Sequence, residues 1–434
     1  MSDKLTTVLR AYRLLAAMAA PFAPVLLARR LKRGKEHGGR MAERRGNSDA
    51  VRPPGALVWL HGASVGELAS ALPLIEHIAR DEVTVLVTSG TVTSSELASE
   101  RLPAGVIHQF IPLDAPRFMR RFLDRWRPDL VLFIESDLWP NMMIETSRRG
   151  VPMILVNGRL SKNSFKRWRY LPRTIVNLLG RFDLCLARTP ADALRFSELG
   201  APRVITTGNL KFDVPPPPAD ADKLKALTTA IGQRPVIAAA STHPGEDALV
   251  IESHARLREN YPRLLTLIAP RHPERGGKVA DIARAAGLTV AVRSLGETPV
   301  AETDIYVADT IGELGLLYRL ALAVFVGGSL VRHGGQNPIE PAKLGAAILH
   351  GPHIWNFAEI YEALDAARGA EPIDGATRMT AAFAAMLNDP QARGRTIDAA
   401  RATVDGLGGA LERTLASLNP YLMHLMLRQR GGRA

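Results

Sequence analysis

Cysteine is nearly absent from this chain of 434 residues, where Cys185 stands alone. A single thiol excludes an intramolecular disulfide framework and points to a reducing compartment. No cysteine–histidine cluster has the spacing of zinc ligands, so no metal and no other cofactor is expected. Aromatic residues are scarce as well, at 6 %. That speaks against nucleic acid as a partner, because single-stranded binders stack bases on aromatic rings set among basic residues. No Gly-Lys-Ser/Thr phosphate loop occurs, which argues against an ATPase, and no glycine pattern matches a dinucleotide fingerprint.

What is present describes a globular chain, 46 % apolar and 23 % charged, long enough for two domains. The net charge of +12 calls for an acidic partner: nucleic acid, an anionic membrane or an anionic substrate. Much of that charge is crowded into "ARRLKRGKEHGGRMAERRG" (28–46), directly after the uncharged "LLAAMAAPFAPVLLA" (14–28). A cleaved signal peptide would carry its charge before the apolar run. A buried helix of a soluble domain is a second option. The favoured expectation is an N-terminal membrane anchor, residues 1–30, with its basic flank to about residue 52 held at the anionic cytoplasmic face of the inner membrane. Extended back to Leu5, with Arg10 and Arg13 snorkelling, the run approaches spanning length. Pro21 and Pro24 would kink a spanning helix, so crossing the bilayer and lying in its interface both stay open.

From about residue 55, short Val/Ile/Leu-rich runs alternate with helix-length segments. "ALVWL", "VTVLVTS", "VIHQFIP", "DLVLFIE", "PMILVNG", "LCLA" and "VITTGN" read as buried parallel strands, and the alternation as βαβ units. "KFDVPPPPAD" (211–220) then breaks the pattern, since four prolines make a stiff, extended connector. Alternation resumes with "PVIAAAS", "RLLTLIAP", "LTVAV", "DIYVAD", "LAVFVGGS" and "AAILHG". The expected fold is therefore α/β: two Rossmann-like, doubly wound domains, 53–210 and 221–434, the second with terminal helices packing back, joined by 211–220 and facing a cleft. Ligands of such sheets bind beyond the carboxyl ends of the strands, so residues just after strands are the candidates.

Glu67 follows "ALVWLH" in a loop with Gly62, Ser64 and Gly66, and suits either a general base or a helix-dipole partner. Glu135 ends "DLVLFIE", and Lys211 follows "VITTGNL" at the connector. In the second half Pro270 and Arg271 follow a strand, and arginine suits phosphate. Gly312 and Glu313 follow another. Gly327, Gly328, Gly334 and Gly335 form a loop before Asn337, a candidate helix cap, and Pro338, a candidate first helical residue. A helix opening there would offer phosphate its free amides, with Glu340 one turn in to receive ribose hydroxyls. His243 and His272 lie in loops after strands and could touch phosphate, although lone histidines are more often structural.

Taken together, "GASVGE", "FIESDLWPN", "NGRLS", "TGNLKFD", "APRHPER", "DTIGELGLLY", "FVGGSL", "GGQNPIEPA" and "GPHIWNF", in this order between about 57 and 357, resemble the motifs of the bacterial Kdo transferases. These attach 3-deoxy-D-manno-octulosonic acid (Kdo) from CMP-Kdo to lipid A precursor in lipopolysaccharide biosynthesis. The resemblance implies the glycosyltransferase B fold, a membrane-anchored N-terminus, CMP-Kdo and an anionic lipid as partners, and an inverting displacement without a metal. It also implies roles: Glu67 as proton acceptor, Glu135 and Lys211 as transition-state stabilisers, and CMP contacts at Pro270, Arg271, Ile311, Gly312, Glu313, Asn337, Pro338, Ile339 and Glu340. Gln336 stands where the family commonly has histidine, and it cannot carry charge. Another nucleotide-sugar transferase or a UDP-sugar epimerase of the same fold is the alternative enzyme.

Overall fold

The computed structural model describes residues 4–81, 83–135 and 138–431. Ser136 and Asp137 of the "FIESDLWPN" motif lie outside the described residues, as do the two ends of the chain. The chain divides into two compact units, Met1–Val214 with Gly408–Ala434, and Pro215–Leu407.

The first unit holds seven strands: β1 Leu57–His61, β2 Thr84–Ser89, β3 Ile107–Phe110, β4 Leu130–Ile134, β5 Met153–Gly158, β6 Leu184–Ala187 and β7 Val204–Thr206. They pair in parallel in the order β3-β2-β1-β4-β5-β6-β7. The second holds β8 Val236–Thr242, β9 Leu265–Pro270, β10 Val290–Val292, β11 Ile305–Val307, β12 Ala323–Val326, β13 Ala347–His350 and β14 Ala370–Pro372. Its order is β10-β11-β9-β8-β12-β13-β14, again parallel throughout. β1, β4, β5 and β6 are buried along their whole length, because helices cover both faces of a parallel sheet. The first order reverses between β1 and β4; the second reverses between β8 and β12, and also carries β10 outside β11 at one edge. Crevices for ligands open at such switch points.

The four prolines belong to the second unit. Arg319 Nη1 donates to Pro217 O at 2.9 Å. A Cβ on Gly315 would stand 2.2 Å from Pro218 O, so only glycine lets the helix Leu314–Leu320 approach the connector. The terminal helices of the stretch 221–434, expected to pack back, divide between the units. The helix Pro390–Gly406 stays with the second, whereas Ala410–Gly431 buries Ala410, Leu418, Leu422 and Leu425 in the first. Asp213 pins that return by accepting from Gly409 N at 2.7 Å and Leu411 N at 2.6 Å.

Thr7–Lys32 forms a helical run of 26 residues, long and apolar enough to cross a membrane. A 3₁₀ turn, Ala20–Phe22, interrupts it, so both prolines sit in first turns where their missing N–H costs nothing. One face docks on the first unit. Leu9 enters the core, Tyr12 donates to Asp114 at 2.9 Å, and Arg13 donates to Glu145 at 2.5 Å. The other face exposes Leu14, Leu15, Met18, Phe22, Val25 and Leu26, at helical spacing.

The basic stretch after it departs from the expected membrane-facing flank. Arg44 is buried, 4 % exposed. It donates to Glu36 at 2.8 Å, Ile111 O at 3.1 Å and Gly90 O at 2.5 Å. Arg40 forks onto Glu43 at 2.7 and 2.9 Å and reaches His108 O at 2.9 Å. Both guanidinium groups stand 4.7 Å from the Phe110 ring. These charges are turned inward because strand-end carbonyls and two carboxylates need donors there. Arg29, Lys32, Arg33 and Lys35 remain exposed.

Candidate active site

In the first unit the switch point carries two carboxylates. Glu67 opens the helix Val65–Ile78 after β1, and Glu135 directly follows β4. Ser64 is the cap of that helix, its hydroxyl accepting from Glu67 N at 3.3 Å. Glu67 reaches back, accepting from Ala63 N at 2.6 Å and Ser64 Oγ at 2.9 Å, an arrangement akin to a capping box. The half-buried carboxylate thus serves the helix start and lies at the ligand end of the sheet at once.

Glu135 adopts φ +64°, the left-handed region that costs a side-chain-bearing residue energy. Asn157 and Ser241, both at φ +56°, repeat this at the ends of β5 and β8. Nothing in the composition of these strands announces it. The turn brings Glu135 Oε1 to 3.0 Å from Lys211 Nζ. Lys211 sits in the 3₁₀ turn Leu210–Phe212, with Asn209 as its cap at 3.2 Å. Asn157 Oδ1 holds the same turn through Leu210 N at 3.1 Å. Leu210 shares a core with Leu68, which places the turn against the helix that begins with Glu67. The structure therefore joins Glu135 to Lys211 directly and to the Glu67 helix by packing.

In the second unit the candidates gather at the carboxyl ends of β8, β9, β11, β12 and β13. Pro270 closes β9. Arg271, whose amide donates to Thr242 O at 3.0 Å, has an exposed side chain with no ion-pair partner among the described residues. Ile311 is 83 % exposed on the turn after β11, next to Gly312 at φ +82°. The Glu313 carboxylate is already engaged: Arg293 holds it at 2.5 and 2.9 Å, Lys223 at 2.8 Å and Thr310 at 2.5 Å. Its hydrogen bonds with Arg293, more than any other contact, hold the carboxyl down at about 2. A depressed acid adds stability that is fully present above its unfolded value and is lost as pH falls through the folded one. Unfolding of the second unit, followed by urea titration, is expected to become easier between pH 4.5 and about 2, and Arg293→Met should flatten that decline.

Two expectations about the glycine loop change. The helix after it is only Ile339–Leu344, with Pro338 rather than Asn337 at the cap position. Asn337 Oδ1 accepts from Ile339 N at 3.0 Å, and its Nδ2 donates to Glu340 at 3.1 Å. A six-residue helix ended by Gly345 at φ +77° offers little dipole. The loop amides are also spent internally. Gly327 N bonds Ala240 O at 2.8 Å, Gly335 N bonds Gly328 O at 2.8 Å, and Gln336 N bonds Gly327 O at 3.1 Å. A Cβ at Gly327 would lie 2.5 Å from Ser241 O, so glycine serves here for close backbone approach. The anion-binding groups on offer are side chains. The ring of His243 stacks on His333 with centroids 3.8 Å apart, and His272 lies edge-on at 6.2 Å. Gln336 Nε2 is 3.1 Å from His243 Nε2. Burial, then the neighbouring histidines and arginines, lowers His243 from 6.5 to about 4, so it is neutral near pH 7.

Each unit thus gathers polar and charged groups at the ligand end of a nucleotide-type sheet. Residues 39–214 match a family described as 3-deoxy-D-manno-octulosonic-acid transferase (kdotransferase). The 3-deoxy-D-manno-octulosonic acid transferase of Haemophilus influenzae is 35 % identical over 390 residues, 88 % of this chain and 91 % of that protein. That of Bordetella pertussis is 38 % identical over 393 residues, 87 % and 90 % of the two chains. Among solved structures, UDP-GlcNAc 2-epimerase from Neisseria meningitidis bound to UDP-GlcNAc superposes with a TM-score of 0.57. It is 13 % identical and covers 84 % of this chain and 100 % of its own, a likeness of fold alone. The chain belongs to the 3-deoxy-D-manno-octulosonic acid transferase family. It is a glycosyltransferase acting in lipopolysaccharide biosynthesis, and the epimerase alternative is not favoured.

Proposed function

We propose that the protein transfers Kdo from CMP-Kdo to the sugar hydroxyl of a lipid A precursor, with inversion at the transferred carbon. The observation that carries this reading is the pairing of Lys211 with Glu135 at 3.0 Å on a left-handed turn of the first unit's switch point. Strain held at a ligand-binding edge suits a preorganised electrostatic site.

The donor falls to the second unit. The cytidine would meet the exposed Ile311 turn, and the phosphate would meet Arg271, whose planar fork matches it. The neutral His243 and Gln336 donate hydrogen bonds without adding charge. As the bond to the sugar breaks, the phosphate leaves as an anion, and cationic side chains balance it in the place a metal would otherwise take.

The acceptor falls to the first unit. A sugar hydroxyl is a weak nucleophile near neutral pH, so Glu67 takes its proton as the new glycosidic bond forms. Lys211 neutralises the carboxylate of the transferred sugar acid or the leaving phosphate, and Glu135 fixes the ammonium in place. One displacement on the face opposite the leaving group inverts the carbon. The acceptor is an anionic lipid, and the outward apolar face of residues 14–26 rests in the inner membrane on its cytoplasmic side, with the exposed Arg29, Lys32, Arg33 and Lys35 against the headgroups.

Purified protein incubated with labelled CMP-Kdo and lipid A precursor, with a chelator present, is expected to move label into the lipid. The product mass gives the number of sugars added. Label that stays in the aqueous phase, or that moves only when a divalent cation is supplied, overturns the reading.

A further inference from the structure

Glu246 opens the helix Glu246–Arg258 after β8, and it is fully buried, 0 % exposed. Its Oε2 accepts from His243 N at 2.8 Å and from Gly328 N at 2.7 Å. Its Oε1 accepts from Ser329 N at 3.0 Å and from Leu330 N at 2.9 Å. One carboxylate therefore takes four backbone N–H groups. One comes from the turn after β8 and three come from the loop after β12, so Glu246 spans both sides of the second sheet's switch point. No cation pairs with it among the described residues. A buried anion without a counter-charge costs several kcal/mol unless hydrogen bonds satisfy it fully.

Only a carboxylate suits this task. It is an acceptor at every lone pair, whereas a carboxamide of the same shape has a donor on one side. By drawing Gly328, Ser329 and Leu330 inward, Glu246 fixes where the loop leaves the sheet. By holding His243 N, it fixes the backbone beneath the imidazole that meets Gln336 at 3.1 Å. We propose that Glu246 is the positioning residue of the donor site: it clamps the turn of His243 to the glycine loop so that the imidazole, Gln336 and the loop are set in advance for the anionic nucleotide-sugar. This rests on the reading of the second unit as the CMP-Kdo site.

Glu246→Gln tests it. The amide nitrogen would face two N–H donors, and half of the clamp would open. With CMP as probe, the dissociation constant is expected to rise about tenfold or more, since each opened buried bond weakens the clamp. KM for CMP-Kdo should rise with it, while KM for the lipid acceptor stays within about twofold. A purely structural carboxylate would instead lower the melting temperature and leave CMP affinity of the folded protein unchanged, and that result overturns the proposal. If the parent protein binds no CMP, the donor-site reading fails, an outcome distinct from equal binding by parent and variant. Should Glu246→Gln not fold, hydrogen exchange of the parent decides: CMP is expected to slow exchange at residues 243 and 328–330, and equal rates with and without CMP overturn the clamp.

Discussion

Glu67→Gln is expected to lower the turnover number by roughly 10²- to 10⁴-fold, the usual contribution of a general base. The substitution keeps shape and volume and removes the ability to accept a proton. What makes the experiment informative is the second role of this carboxylate. In the structure it accepts from Ala63 N and Ser64 Oγ, so part of any loss could come from the helix start. The two roles separate by magnitude. Losing a cap interaction costs about 1 kcal/mol of stability, which in a protein still folded at assay temperature barely alters the active fraction. Ser64→Ala is the matching control: it removes the capping hydroxyl and keeps the carboxylate. It should match Glu67→Gln in melting temperature while keeping turnover within about tenfold of the parent. If the two variants lose activity alike, Glu67 is a cap and the base lies elsewhere.

How much of this was legible beforehand varies by residue. Thirteen of the fourteen strands coincide with runs read from the sequence, most plainly those such as β4 and β12, which are buried on both faces and have to be apolar throughout. The exception is β14, Ala370–Pro372, a three-residue strand on the sheet edge whose glutamate and proline are tolerated only there. Strand order, and with it the two switch points, has no one-dimensional signature. At the candidate site, the types and order of Glu67, Glu135, Lys211 and Arg271 are readable, since Glu135 and Arg271 follow strands directly and Glu67 and Lys211 lie in the first turns beyond them. Their partners are not. That Glu313 is consumed by Arg293 and Lys223, or that the glycine-loop amides turn toward Glu246, depends on contacts between residues 20 to 90 positions apart. Glycines in that loop suggested phosphate binding, but close packing against Ser241 accounts for Gly327 equally well.

The basic stretch 28–46 gives the second large effect, because its arginines look alike in sequence and differ in the fold. Arg44→Ala is expected to destabilise the first unit by about 3–5 kcal/mol, the cost of breaking a buried ion pair by removing one partner. The loss has three parts. Glu36, 6 % exposed, keeps only Arg30, at 2.6 Å. The carbonyls of Gly90 and Ile111 lose their donor. The Phe110 ring loses one of its two cations and keeps Arg40. Arg33→Ala, at an exposed position without an ion pair among the described residues, should stay within about 0.5 kcal/mol of the parent. Urea unfolding followed by tryptophan fluorescence measures both, as Trp59 and Trp126 lie in the first unit's core. The effect should also reach chemistry. Gly90 N donates to Ala63 O at 2.9 Å, and Ala63 N donates to the Glu67 carboxylate at 2.6 Å. Loosening the Gly90 carbonyl therefore loosens the loop that sets Glu67, and turnover should fall in the fraction that remains folded. Equal stability of Arg44→Ala and Arg33→Ala would return Arg44 to the role first expected of it, a solvated charge on a membrane-facing flank.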